Sequence, residues 1–247
     1  MKKFALGVVL FAAVCVSSLA APPAGDGWVS LFNGKDFTGW KVPDIAKDCW
    51  TIVDGTIDCD PKMGRKGDTA VWSEQEFGDG ELYCEWKIKR TEGIYQVPTV
   101  LPSGLDKTDE KGEKVVTPMP GADSGIYLRG TSKAQVNIWC WPIGSGEVYG
   151  YRMDDKMPPE VRAGVTPKVK ADKPVGAWNT FLITMKGDRL TVNLNGQKVL
   201  DNAQLPEVPA KGAIALQMHG GYDEAKKEWN GASSLVQFKD IYYRPAP

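Results

Sequence analysis

The sequence predicts an all-β protein, a sandwich of two antiparallel sheets. Its periodic segments alternate apolar and polar residues with a period of two, which is the spacing of half-buried strands. Gly- and Asn-containing turns punctuate those segments, and no stretch repeats apolar residues at helical spacing over the length of a helix. Many short strands with tight turns build sandwiches.

Residues 1–20 come first and stand apart. Lys2 and Lys3 precede an apolar run from Phe4 to Val16, and Ser18-Leu19-Ala20 closes it with small residues, the pattern of a secretory signal cleaved near Ala20. No other apolar run approaches the ~20 residues that span a bilayer as a helix. The expected product is a secreted or periplasmic chain, residues 21–247, without a transmembrane segment. No Ser/Gly-rich or charged linker divides it, so a single domain is expected. The 247-residue chain carries 30 basic and 31 acidic residues. Loss of the leader lysines makes the balance slightly more acidic, which argues against nucleic acid as a partner.

Strands are expected at 28–32, 50–53 and 56–59. The last two are joined by Asp54-Gly55, whose two-residue turn would set Cys59 opposite Trp50, while a bulge would bring it to Cys49, so a bridge between these two cysteines stays open. At 81–88, Leu82, Cys84, Trp86 and Ile88 share one face while Glu81, Tyr83, Glu85 and Lys87 share the other, a solvated one. Strands follow at 126–129 and 136–141. The segments 179–186 and 189–195 are flanked by Gly187-Asp188 and Asn195-Gly196, and further strands are expected at 211–218 and 234–243. Lys239-Asp240 breaks the last alternation as a bulge would. Two long segments, 90–121 and 152–174, each hold four prolines and read as loops that either rim a site or merely decorate the domain. Cys84 and Cys140 are either small buried hydrophobes or a bridge. CxxC and CxxH spacings are absent.

Little of the usual catalytic vocabulary is present. There is no Gly-x-Ser-x-Gly elbow and no phosphate loop. Glu81 and Glu85, the best pair of in-strand carboxylates, fall on a face that solvation already explains. What remains is a set of polar residues on strands: Asp123, Arg129, Gln135, Asn137, Tyr149, Gln217 and His219. Gln135 and Asn137 are two apart, as are Gln217 and His219, so each pair shares one face of its strand. Buried unpaired they would be costly, so they meet water, a ligand, a metal or one another. His219 is the only histidine and the single imidazole base available. Trp139, among nine tryptophans, is either core or a stacking platform for a sugar.

At these residues the chain resembles the 3-keto-disaccharide hydrolase family, whose fold is a concanavalin A-like jelly roll. The resemblance spans nearly the whole mature chain. It is carried by Trp28-Val29-Ser30-Leu31-Phe32-Asn33-Gly34-Lys35-Asp36-Phe37-Thr38-Gly39-Trp40, then by Asp123-Ser124-Gly125-Ile126-Tyr127-Leu128-Arg129-Gly130, Trp178-Asn179-Thr180, Leu194-Asn195-Gly196 and Gln217-Met218-His219-Gly220 in order. The resemblance implies cleavage of a carbohydrate already oxidised at C3. The ketone acidifies the C2 proton, a base removes it, the glycosidic oxygen leaves C1 and water adds. On that basis His219 is expected as base or metal ligand and Arg129 as the group stabilising enolate charge. Asp123, Gln135, Asn137, Tyr149, Gln217 and Trp139 are the expected substrate contacts. The cofactor is left open, a divalent metal ion held through His219 being the option admitted. Two features depart from the family: Gln135 stands where many members carry an acidic residue, which Glu147 replaces only if the fold brings it near, and segment 90–121 is an insertion. The loss of that carboxylate keeps a second reading alive, a non-catalytic glycan-binding sandwich.

Overall fold

The computed structural model describes Pro23, residues 25–61 and residues 67–246. The leader expected at 1–20 lies outside the described residues. Two antiparallel sheets dominate, as the period-two pattern predicts. The larger, of eight strands, runs in the order Gln197–Gln204, Arg189–Leu194, Asn179–Lys186, Gly80–Ile88, Val236–Pro245, Thr56–Cys59 and Trp50–Val53, with Val29–Ser30 also pairing to Val236–Pro245. The smaller, of five, runs Thr131–Trp139, Asp123–Leu128, Gly212–Met218, Thr69–Phe77 and Trp40–Lys41. Together they form a concanavalin A-like jelly-roll sandwich.

The inner faces meet in one apolar core. Trp86, Phe181, Phe238 and Ile57 from the larger sheet lie against Ile126, Ile138 and Leu216 from the smaller, all essentially inaccessible to water. Trp86 and Phe181 pack at 5.3 Å between ring centroids. Each such side chain contributes roughly 1.5–3 kcal/mol of hydrophobic stabilisation. The alternate faces behave as their sequence requires: Glu81 pairs with Arg244, while Glu85 pairs with Lys239 and accepts from the Tyr83 hydroxyl, all on the outer face of the larger sheet. This carboxylate pair is a solvated face and no catalytic site.

The turns also form as read. Asp54 and Gly55 both take positive φ (49° and 73°), as do Asn195 and Gly196 (53° and 80°), which is what a type I′ hairpin turn demands. The first turn sets Trp50 opposite Cys59. Cys59, Cys84 and Cys140 are free thiols. Burial pushes all three thiols up, Cys140 to about 11, so they stay protonated. The bulge expected at Lys239-Asp240 is present as a register shift between Lys239 and Tyr242, with Asp240 at φ 49°.

Segment 90–121 is not a plain loop. It folds into a two-stranded ribbon, Ile94–Pro98 against Val116–Pro120, whose outer part is held by bridges Val100 to Asp106 and Thr108 to Lys114. Its base lies against Gly231, where a Cβ would stand 2.4 Å from the Ile94 carbonyl carbon, so only glycine allows the approach. Segment 152–174 contains the helix Pro159–Gly164, and Tyr149–Arg152 forms another short helix packed on Thr131–Trp139. No helix among the described residues is long and apolar enough to cross a membrane.

Candidate active site: a three-row cleft on the smaller sheet

The outer face of the smaller sheet carries an open cleft of about 530 Å³. Asp123, Gln135, Asn137, Tyr149, Gln217, His219 and Trp139, the expected site residues other than Arg129, all line it. Strand register explains why. Trp139 pairs with Asp123, Asn137 with Gly125 and Gln135 with Tyr127, while Tyr127 pairs with Ala215, Ala215 with Trp72 and Gln217 with Ala70. With side chains alternating faces, these pairings generate three parallel rows across the sheet.

The first row, at the ribbon end, is ionisable: Asp123, His219 and Asp68. His219 lies one residue beyond its strand and is fixed by Ser234, whose hydroxyl accepts the His219 amide at 2.8 Å and donates to the Asp123 carbonyl. The imidazole Nδ1 is hydrogen-bonded to the Asp68 carboxylate. Desolvation pulls the imidazole pKa down, but that bond and the negative charges of Asp123 and Asp68 outweigh it, and the net shift is upward. Asp123 is raised as well, up to about 7, chiefly through desolvation, with Asp68 adding and His219 and Asn137 opposing. Asp123 as a whole keeps some exposure, yet its Oδ1 is shielded and lacks a hydrogen-bond partner.

The second row is made of amides. Gln135 Nε2 donates to the Ser124 carbonyl at 3.2 Å and to Gln217 Oε1. It reaches Gln217 by lying across Gly125, where a Cβ would stand only 2.3 Å from Gln135 Nε2. The Asn137 Oδ1 accepts the Tyr149 amide at 3.4 Å, turning its NH₂ towards Asp123. The third row is aromatic: Trp72 and Tyr127 meet at 5.6 Å and pack with Ala70 and Ala215. Burial raises the Tyr127 hydroxyl, so it remains a donor at neutral pH.

An aromatic wall closes the ribbon end. Trp139 and Trp141 stack at 3.9 Å and 3°, Tyr95 of the ribbon lies at 6.0 Å from Trp141, and Tyr149 meets Trp139 edge-on. Trp139 is buried and donates to the Gly144 carbonyl at 2.7 Å. It supports the wall rather than offering a free platform. Tyr149 is 40% exposed and faces the opening.

The structure does not bring Arg129 to this cleft. It follows the end of strand Asp123–Leu128, where a positive φ of 57° turns the chain, and its guanidinium donates to Asp79 at 2.7 Å and to the Pro209 carbonyl at 3.3 Å. Some 20 Å of strand separates it from Asp123 at ~3.3 Å per residue, and the enolate-stabilising role expected of it has to be filled by other groups. Glu147 does not replace the missing acid at Gln135. It is fully buried and ion-paired with Arg152, away from the cleft. Among the described residues no three His, Cys, Asp or Glu side chains converge as metal ligands; Asp68 holds Nδ1 of His219 and leaves Nε2 as its free nitrogen.

Asp68, Trp72, Tyr95, Tyr127 and Ser234 join the site without having been singled out in the sequence. Asp68 and Trp72 belong to the strand segment around Thr69–Phe77, whose alternation is broken by a register shift, so no periodic signal marks it. Tyr127 lies inside the Asp123–Gly130 motif, where position alone offered a hint.

Fold and site together define a jelly-roll protein with an ionisable, amide- and aromatic-lined cleft on the outer face of its smaller sheet. More particularly, residues 27–244 match the family model of the 3-keto-alpha-glucoside-1,2-lyase-like domain, and the chain belongs to that family. It is similar to a 3-keto-disaccharide hydrolase of Bacteroides thetaiotaomicron, at 29% identity over 112 residues, covering 42% of this chain and 37% of that protein. The matched stretch is therefore little more than a third of that relative's length. Crystal structures of a presumed glycosyl hydrolase from Parabacteroides distasonis share the fold. One has a TM-score of 0.55 at 19% identity, covering 89% of this chain and 84% of the other, and a second has 0.53 at 18%, covering 90% and 94%.

Proposed function

We propose that the protein is an exported enzyme that cleaves 3-keto-glycosides by elimination followed by hydration. The observation that carries this reading is the Asp123–His219–Asp68 row. It offers a base and an acid side by side at the floor of an open cleft, with Asp123 titrating at about 7.

In the first half-reaction, His219 Nε2 takes the proton from C2 while the electron pair moves onto the C3 oxygen as an enolate. Asp68 holds the imidazolium that forms. The enolate then re-forms the ketone, the C1–O bond breaks, and protonated Asp123 gives its proton to the departing oxygen. Tyr149 and Tyr95, kept protonated by burial, supply donors for the enolate in place of Arg129. In the second half-reaction water adds to the enone: Asp123 carboxylate takes its proton as oxygen bonds to C1, and the imidazolium returns a proton to C2. Both groups end as they began. Asn137, Gln135 and Gln217 hold sugar hydroxyls.

The test is incubation of the mature protein with a 3-keto-glucoside and chromatography of the released keto-sugar and aglycone, alongside His219→Ala. Release by the wild type, lost in the variant, is the expected result. A second reading, a non-catalytic glycan-binding sandwich, is favoured by the amide of Gln135 at the position where the family resemblance implies a carboxylate. Unmodified glycan bound, with 3-keto-glucoside left intact, is the outcome that selects it.

A further inference from the structure

The cleft has a direction, and the direction says what kind of leaving group it accommodates. The acid–base row sits at the end closed by Tyr95, Trp139, Trp141 and Tyr149. From there the cleft runs along the strands, past the amides, to Trp72 and Tyr127. Asp123 and Tyr127 are four residues apart on one strand, about 13 Å at ~3.3 Å per residue. A single sugar ring reacting over His219 does not reach that far.

Trp72 and Tyr127 are also built unlike core residues. They stand on the outer face, in a cluster separate from the core between the sheets. Ala215 lies between them in the strand register and Ala70 packs with them, both small side chains that leave room on this face. Trp72 keeps part of its surface open to the cleft. A partly exposed indole at the end of a polar trough suits the CH face of a pyranose, and the Gln135–Gln217 pair offers amide groups for hydroxyls on the way.

We infer that Trp72, backed by Tyr127, is a specificity-determining platform for the ring on the leaving side of the bond. A 3-keto-disaccharide, the substrate class in the name of the Bacteroides relative, would then lie with its oxidised ring at the ribbon end and its second ring stacked on Trp72. The inference rests on the proposed reaction for its assignment of the reacting ring to His219, while the platform itself is testable without turnover.

The experiment measures binding by calorimetry in a His219→Ala background, using methyl 3-keto-glucoside and α- and β-linked diglucosides oxidised at C3 of the non-reducing ring. One diglucoside should bind more tightly than the methyl glycoside. Trp72→Ala should weaken that diglucoside about tenfold, the loss of one modest stacking contact, and leave the methyl glycoside within about twofold, while Trp72→Phe should restore most of the difference. Equal weakening of both ligands, no weakening, or no diglucoside bound better than the methyl glycoside overturns the platform. Turnover by the wild-type protein is scored in parallel. If both compounds stay intact while the Trp72-dependent preference persists, the elimination reaction falls and the platform stands.

Discussion

A histidine whose Nδ1 is held by a carboxylate presents Nε2 as its free nitrogen, and its basicity depends on the charge behind it. Asp68 supplies that charge to His219, so Asp68→Asn should cut kcat by roughly 10–100-fold and move the acid limb of the pH profile to lower pH, whereas His219→Ala should cost roughly 10²–10⁴-fold. Asp123 adds a second pH signature. Its carboxyl is raised to about 7 in the folded protein from an ordinary value of 3.8, so folding favours the protonated form. The stabilisation is complete below the unfolded value and is lost as pH rises through 7. Asp123→Asn should therefore gain Tm relative to wild type between pH 4 and 7, with the gap flat above that. In activity the same variant should lose the alkaline limb. It should also shift the acid limb down, because the Asp123 charge helps raise His219. Tm measured across pH for both proteins checks the first claim, and a gap that narrows with pH refutes it.

Among the elements, the ribbon is held in place by buried charge. Arg152 pairs with Glu147, donates to Asp106 at 2.8 Å and to the Gly104 carbonyl at 3.1 Å, and lies 5.4 Å from the Tyr149 ring centre. Removing one partner of such a pair strands the other, so Arg152→Met should destabilise the fold by about 3–5 kcal/mol, and adding Glu147→Gln should recover part of it. Chemical denaturation of the single and double variants reads this out. Gly125→Ala acts differently: the new methyl displaces the Gln135 side chain from Cγ outward and with it the bonds to Ser124 and Gln217. KM should rise, and Tm should fall by the loss of about 1–3 kcal/mol of buried hydrogen bonding. The sequence exposed some of these elements clearly and hid others. Hairpins marked by Asp54-Gly55 and Asn195-Gly196 formed where expected because both turns require positive φ. Strand Thr69–Phe77 escaped because its bulge opposite Ala213 and Ala215 breaks the period of two, and with it went Asp68 and Trp72. Gln135, Asn137, Gln217 and His219 were legible because alternation puts polar side chains where an apolar face is ruled out. Arg129 misled because its parity matches Tyr127, but the strand ends before it and a turn re-aims the side chain.

For the molecule as a whole, stability should rest on burial between two sheets and owe nothing to covalent ties among Cys59, Cys84 and Cys140. Cys59, Cys84 and Cys140 are free thiols, and the Asp54-Gly55 turn sets Cys59 opposite Trp50, so the hairpin geometry that fixes the sheet edge also keeps Cys59 from facing its nearest cysteine in sequence across the strands. The load falls instead on side chains such as Phe181, inaccessible to water and packed on Trp86. Phe181→Ala should cost about 3–5 kcal/mol, the usual penalty for deleting a buried aromatic ring. Reductant should leave Tm where it was, even for protein recovered from an oxidising compartment, whereas a native bridge would contribute ~2–4 kcal/mol and its loss would lower Tm by several degrees. Thermal denaturation of the purified protein with and without dithiothreitol decides between the two. A clear fall in Tm would mean that a cysteine pair closes in the isolated protein, against the free thiols described for Cys59, Cys84 and Cys140.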